Sequence, residues 1–466
     1  IYDNNNISID GSTDLAFSDN TNLRFKSVNW EVHSGKGHDH KNIYKLLKKA
    51  QISKVPCLLN FKTTIGFGSP NKSAKASSHG SPLGSEEVKL TRSKLSWNEK
   101  PFQIPDKLLK IWRNSSTKNL QLYKKTKSIS YTTLSNKDID KLFNKIETDL
   151  KDFKSDQATR KSSEAILHYF KKDHPILGGS ADLTGSNNTK GKEMSVMDSM
   201  NTTGQYIHYG VREHGMAAIM NGIAATKIYK TYSGTFLSFA DYMKPSLRLA
   251  ALMKINPIQV FTHDSIGLGE DGPTHQPIEQ INMLRLIPNS YVFRPCDLKE
   301  TIVCWREALK INDAPSFICL SRQNLPQISN KKLDSKKFKG AYVIYGPKIN
   351  NDITIIATGS EVSLAVNVAV RIRGDGIIAK VISMPSTSVF EKQSKTFKNN
   401  LLKSNSSETF IIEAGSTMYW NKYTKYENIF GLDNFGASAP GNEVFRKFGL
   451  TTETVSSKII RKIKTK

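Results

Sequence analysis

Short apolar runs alternate with longer segments of helical spacing along most of this chain. That alternation constrains the fold more than any other feature. Residues 57–63, 257–262, 291–293, 316–320, 353–358, 378–383 and 409–413 read as strands of the buried type. Residues 43–50, 163–170, 211–225, 361–372 and 452–463 carry apolar side chains at helical spacing. A parallel strand pair needs a crossover of a dozen or more residues, usually a helix. The order of elements therefore predicts an α/β fold of mostly parallel sheets flanked by helices. The 466 residues suggest three such units in series, at roughly 150 residues per domain.

Polar, lysine-rich stretches mark the boundaries. One lies at about 100–155 and a second at 328–339, and both read as linkers. The expected domains are 1–125, 126–332 and 333–466. Ile1-Tyr2 running into Asp3-Asn4-Asn5-Asn6 reads as a buried strand end entering a loop, and 176–182 reads as a strand entering a Gly-Gly-Ser turn. No targeting segment is visible, and the chain begins as if cut inside a domain.

Composition excludes several classes. With 38% hydrophobic and 23% charged residues, the chain is no disordered polymer. No run approaches the roughly 18 apolar residues of a membrane span. The four cysteines form no CxxC pair and have no nearby His cluster, which argues against a zinc site or a disulfide framework and for a reducing compartment. The net charge of +25 fits either a polyanion partner or a solvated, lysine-rich surface. The lysines are scattered and not interleaved with aromatics, so the surface reading is preferred, with no nucleic-acid or membrane partner.

Four loops gather reactive side chains, three of them directly after predicted strands, where α/β sheets bind ligands. After 257–262 comes HDSIGLGEDGPTH, with His263, Asp264, Glu270, Asp271 and His275. Asp182 and Ser186 follow the strand at 176, and Arg322 follows the strand at 316. Ser77-Ser78-His79-Gly80 is the fourth. Taken singly, each histidine fits a structural role; histidines and an arginine after several strands favour a pocket for a polar anion. Glu213, opening the 211–225 helix, suits either the helix dipole or a buried proton carrier. Phe236, Phe239 and Tyr242 suit either a core or a slot for a flat ring.

Longer strings then carry a family resemblance over essentially the whole chain: YDNNNISIDG (2–11), KTTIGFGSPN (62–71), SSHGSPLG (77–84), RKSS (160–163), LGGSADLT (177–184), YGVREHGMAAIMNGIA (209–224), GTFLSFADY (234–242), THDSIGLGEDGPTHQPIEQ (262–280) and SRQNLPQ (321–327). The chain resembles the transketolases, and GSEVSLA (359–365) and FGASAPGNEVF (435–445) are similar to that family's third domain. The resemblance implies transfer of a two-carbon ketol group from a ketose phosphate, such as xylulose 5-phosphate, to an aldose phosphate, such as ribose 5-phosphate or erythrose 4-phosphate. The cofactors implied are thiamine diphosphate and Mg²⁺, with Ca²⁺ or Mn²⁺ as alternatives. Glu213 would bond the cofactor's pyrimidine N1′ and promote proton removal from the thiazolium, while Phe236, Phe239 and Tyr242 would hold the pyrimidine. His79, His263, Asp271 and His275 would contact substrate hydroxyls and the reacting carbonyl, with His79 close to the cofactor. Arg160, Ser186, His263 and Arg322 would bind the sugar phosphate, whose oxygens match an arginine fork. Asp182 would lie near the cofactor at the interface of a homodimer. Asn5, through its side chain, and Ile7, through its carbonyl, match the metal ligands.

One departure is large. The family's diphosphate motif opens with Gly-Asp-Gly about thirty residues before the Asn-rich string seen here. The expectation is that this chain alone lacks the aspartate ligand, binds the cofactor poorly and turns over little. A cytoplasmic location follows from the pathway, an organelle address being unreadable here. Competing readings are a deoxyxylulose phosphate synthase-like enzyme, which the GEDGPTHQPIE and SRQNLPQ strings resemble less, a dihydroxyacetone synthase-like enzyme, told apart by acceptor preference, and a non-catalytic scaffold with a basic surface.

Overall fold

The computed structural model describes residues 1–127, 133–329, 333–402 and 408–465. The chain divides into two compact units, Ile1–Ile129 and Ser130–Lys466. The proposed boundary at 332 falls outside the described residues.

The first unit holds a three-stranded parallel sheet with Cys57–Lys62 between Tyr2–Asn4 and Glu31–Lys36. The helix His40–Ile52 covers it through Leu46, which packs with Leu59 and Phe61. Tyr2–Asn4 is an edge strand, and Ile1 is exposed, contrary to the buried strand end expected there. The lysine-rich stretch after residue 100 is no open linker either: it forms the helix Asp106–Lys127.

The second unit contains two sheets. The six-stranded one is entirely parallel, in the order Tyr291–Phe293, Ser316–Leu320, Pro257–Thr262, Lys230–Phe236, Ile176–Ser180, Tyr206–His208. Its central strands are buried on both faces. Along Ser316–Leu320, Phe317 and Cys319 join one core with Met216, Met243 and Leu247, whereas Ile318 and Leu320 join the opposite core with Phe143, Phe170 and Trp305. That two-sided burial explains why these strands read as continuous apolar runs. The second half of the expected linker belongs to this unit: Asn136–Asp149 starts at a Ser135–Asp138 capping box, buries Ile139, Phe143 and Ile146, and binds Arg306 through Asp140 at 2.8 Å.

Gly178, Gly179 and Ser180 do not form the turn expected from their composition; they are the end of the strand Ile176–Ser180. A Cβ at Gly178 would lie 2.0 Å from the Tyr232 ring, so glycine is used here for close packing between strands.

The five-stranded sheet runs Tyr342–Tyr345, Ala379–Ser383, Ile353–Ala357, Glu408–Ile412, Ile429–Phe430, with only the first edge strand antiparallel. The helices Glu361–Arg373 and Thr452–Lys464 cover one face through Val362, Ala365, Val455 and Ile459. All four cysteines are free, and no described helix is long and apolar enough to cross a membrane.

Candidate active site

Four neighbouring strands of the six-stranded sheet deliver the predicted residues to one edge. Arg322 follows Ser316–Leu320, His263 follows Pro257–Thr262, Phe236 ends Lys230–Phe236, and Asp182 and Ser186 follow Ile176–Ser180. These are the carboxyl ends of parallel strands, where the backbone leaves the sheet and side chains are free to converge. His263 and Asp182 both take left-handed backbone (φ +61° each), a conformation that costs a non-glycine residue about 1 kcal/mol or more.

The two arginines are brought together by reciprocal backbone-to-hydroxyl hydrogen bonds. Thr159 N–H donates to Ser321 Oγ at 3.0 Å, and Ser321 N–H donates to Thr159 Oγ1 at 2.7 Å. Arg160 and Arg322 each follow one member of this pair. Arg160 donates from Nη1 to the Ser186 carbonyl, and its buried Nε has no partner. Burial and the Arg322 charge push the Arg160 guanidinium below its usual range. Two cations sharing an edge with an unused donor form a ready anion site.

His263 is 3% exposed and lies beside them. Burial, then the charges of Arg160 and Arg322 and the His275 ring, push its imidazole down to about 3. Its tautomer follows from the hydrogen bonds. The Thr262 hydroxyl donates to Asn187 Oδ1 at 2.6 Å and stands 2.9 Å from His263 Nδ1. Because that hydroxyl proton is already given to Asn187, Nδ1 of the neutral ring carries the hydrogen and Nε2 is the acceptor. Asn187 is in turn fixed by Ser180 Oγ, and Gly234 leaves room for it, since a Cβ there would lie 3.3 Å from Asn187 Nδ2. Nothing in the polar string Gly185–Asn188 distinguished Asn187 from a loop residue; only the fold puts it against Thr262.

The aromatic triplet continues the edge. Phe236 packs on His263 (3.8 Å between ring centroids) and on Phe239 (5.7 Å), Phe239 on Tyr242 (5.9 Å), and His275 stands 5.4 Å from Phe239. Tyr242 is 66% exposed, so the triplet is not a sealed core. Glu213 begins the helix Glu213–Ala225, which packs against the strand ending in Phe236. It is 8% exposed, and its carboxylate accepts no hydrogen bond from a described residue. A mostly buried carboxylate without a hydrogen-bond partner among the described residues and a partly open ring slot fit an aminopyrimidine. Asp182 and Asp271 are exposed and form no hydrogen bond or ion pair with the described residues of the site.

His79, Asn5 and Ile7 belong to the first unit. His79 caps a short turn and is exposed. Asn5 Oδ1 accepts from Ile7 N–H at 2.9 Å, which holds both residues in one tight turn. An amide oxygen and a carbonyl suit a hard divalent cation whose remaining ligands are diphosphate and water. Among the described residues, no group of three or more His, Cys, Asp or Glu could hold a metal.

The family models match in chain order: "transketolase, thiamine diphosphate binding domain" at 1–148, "transketolase, pyrimidine binding domain" at 155–327 and "transketolase-like TK C-terminal domain" at 340–451. The chain belongs to the transketolase family. It is 41% identical to the transketolase of Buchnera aphidicola subsp. Baizongia pistaciae over 489 aligned positions, covering 99% of this chain and 72% of that protein. Identity to transketolase 2 of Escherichia coli is also 41%, over 98% of this chain and 72% of the relative. The crystal structure of transketolase from Campylobacter jejuni superposes with a TM-score of 0.87 at 39% identity, covering all of this chain and 72% of the other. A Pichia stipitis transketolase complexed with sedoheptulose 7-phosphate superposes equally well at 36% identity and the same coverage. The activity is thus that of a transketolase, a transferase of ketol groups, with thiamine diphosphate as cofactor. The expected three-domain α/β fold is borne out.

Proposed function

We propose that the carboxyl edge of the six-stranded sheet is the donor and acceptor site, with the sugar phosphate held at the Arg160–Arg322 end and the pyrimidine at the Glu213–Phe236–Phe239–Tyr242 end. The observation that carries this reading is the place of His263 between the two ends: its ring packs on Phe236, and the charges of both arginines act on it. Thiamine diphosphate, when bound, supplies the carbanion chemistry that lets a ketol unit leave one sugar and join another. Glu213 holds a proton shared with the pyrimidine N1′. His263, with Nε2 free, accepts from a sugar hydroxyl; once a phosphate dianion offsets the arginines, it can instead be protonated and donate. His275, Asp271 and His79 contact hydroxyls and the reacting carbonyl, and Ser186 completes the phosphate cradle. Asp182 lies by the cofactor.

Asn5 and Ile7 hold a divalent cation, Mg²⁺, Ca²⁺ or Mn²⁺. Ketose and aldose phosphates, among them xylulose 5-phosphate, ribose 5-phosphate and erythrose 4-phosphate, are the substrates; the sedoheptulose 7-phosphate complex of the Pichia protein supports sugars of this class. A homodimer with the site at its interface is supported by the exposed apolar side chains Ile219, Tyr242, Leu249 and Leu252 on the helices Glu213–Ala225 and Ala240–Met253. The domains 1–125, 126–332 and 333–466 and a cytoplasmic location complete the reading. Replacing Glu213 with Gln tests it: kcat should fall by about 10²–10⁴-fold while calorimetric binding of sugar phosphate persists. Retention of kcat within threefold would remove Glu213 from the mechanism.

A further inference from the structure

None of the side chains assigned to the site lies beyond residue 332, yet the C-terminal sheet domain grips the 263–276 loop at both ends. At the near end, Asp264 directly follows His263. Its Oδ2 accepts from Arg294 Nε at 2.8 Å. Arg294 is wholly buried, and its remaining donors go into the C-terminal domain: Nη1 to the Thr358 carbonyl at 3.1 Å, to Glu361 at 2.5 Å and to Glu413 at 3.3 Å, and Nη2 to Ser360 Oγ at 3.3 Å. Glu413 is held in turn by a two-pronged pair with Arg285 at 2.6 and 2.8 Å and by the Trp420 indole N–H at 2.6 Å.

At the far end, Gln276 directly follows His275. Its amide makes a reciprocal pair with Ala437, Nε2 donating to the carbonyl and Oε1 accepting from the N–H, both at 2.9 Å. Nε2 also donates to the Gly269 carbonyl at 2.9 Å, within the loop itself. The Ser438 hydroxyl donates to the Glu270 carbonyl. The surfaces meet closely enough to need glycine: a Cβ at Gly436 would lie 1.7 Å from Gln276 Oε1, and one at Gly441 would lie 2.7 Å from the Gly267 carbonyl.

We infer that the C-terminal domain serves the reaction by clamping this loop, with Arg294 and Gln276 as positioning residues for His263 and His275. The inference rests on the site reading above. The left-handed backbone of His263 needs outside support, and Asp264, pinned one residue later, supplies it. A reacting group displaced by about 1 Å can lose 10²-fold in rate, so a clamp on both flanks of a two-histidine loop bears on kcat. Arg160 and Arg322 lie on other elements, so substrate affinity depends less on it.

Two variants test the clamp. Gln276→Met keeps length and removes the amide at the far end; Glu361→Gln keeps shape and removes one carboxylate from Arg294 at the near end. Each should lower kcat at least tenfold while KM for the sugar phosphate changes less than threefold, and amide exchange over 264–276 should quicken without quickening over the Pro257–Thr262 strand. Unchanged kcat, with or without faster exchange, overturns the inference. If His263→Ala also left kcat unchanged, the site reading itself would fall; a large loss in His263→Ala with none in the clamp variants would sink only the clamp. Should neither clamp variant fold, native-state exchange of the unmodified protein decides: exchange of 264–276 together with the C-terminal strands supports the clamp, and independent earlier exchange overturns it.

Discussion

His263 and Asp264 are neighbours in sequence and lie in opposite electrostatic settings. His263 joins an edge where cations gather: Arg160 and Arg322 push its proton off, and Arg160 keeps a buried donor unused. Asp264 joins a joint where opposite charges meet, Arg294 against Asp264, Glu361 and Glu413 with side chains at most 1% exposed. The first arrangement lacks a counter-charge until an anion arrives, whereas in the second each carboxylate already has an arginine partner, although Asp264 Oδ1 and Arg285 Nε stay without a hydrogen bond among the described residues. Like charges left together mark the ligand, and opposite charges brought together mark the scaffold.

The sharpest way to break this contrast is to remove the shared cation of the joint. Arg294→Leu leaves three buried carboxylates short of a partner and should cost about 3–5 kcal/mol, measured as a lower denaturation midpoint in urea. The matching change at the edge should act differently. Arg160→Ala or Arg322→Ala should raise KM for the sugar phosphate about ten- to a hundredfold, as loss of a charge-assisted bond implies, while the melting temperature stays level or rises because a repulsion is relieved.

Two pH experiments sharpen it further. His263 has its pKa lowered in the folded state, so its contribution to stability is present above the unfolded value near 6.5 and is lost as pH falls toward about 3. The slope should reach at most about 1.4 kcal/mol per pH unit and vanish in His263→Gln. Inorganic phosphate should raise this pKa, read by the imidazole NMR shifts, because it offsets the arginines. The smallest effect belongs to Glu300, a carboxylate of the domain joint that pairs with no cation among the described residues. Burial first, and then Asp297, raise it to about 7, although Tyr342 and Ser383 donate to it. Its stabilising contribution is therefore present below about 4.5 and is lost as pH rises toward 7. Glu300→Gln should flatten that decline, visible as a chemical-denaturation midpoint that no longer falls over this range.

Much of the fold was legible because buried parallel strands must be apolar on both faces. The strands Pro257–Thr262, Tyr291–Phe293 and Ser316–Leu320 lie where their composition placed them. The failures occurred where polarity misled. Asn136–Asp149 is lysine-rich outside and apolar on one stripe, and Gly178-Gly179 are strand residues because Tyr232 and Tyr209 occupy the space of their side chains.

The sequence by itself determined the chemistry carried on each loop, since histidines, arginines and carboxylates after strands are visible as letters and their strings mark the family. The tertiary structure alone decided which loops are neighbours. Strand order put Arg322, His263, Phe236 and Asp182 side by side, the Thr159–Ser321 pair set two arginines together, and Asn187 fixed the tautomer of His263. Arg294 and Gln276 acquired their roles in the same way. Their partners in the C-terminal domain lie 64 to 161 residues away in the chain, and no local pattern encodes a contact made only when two sheets dock.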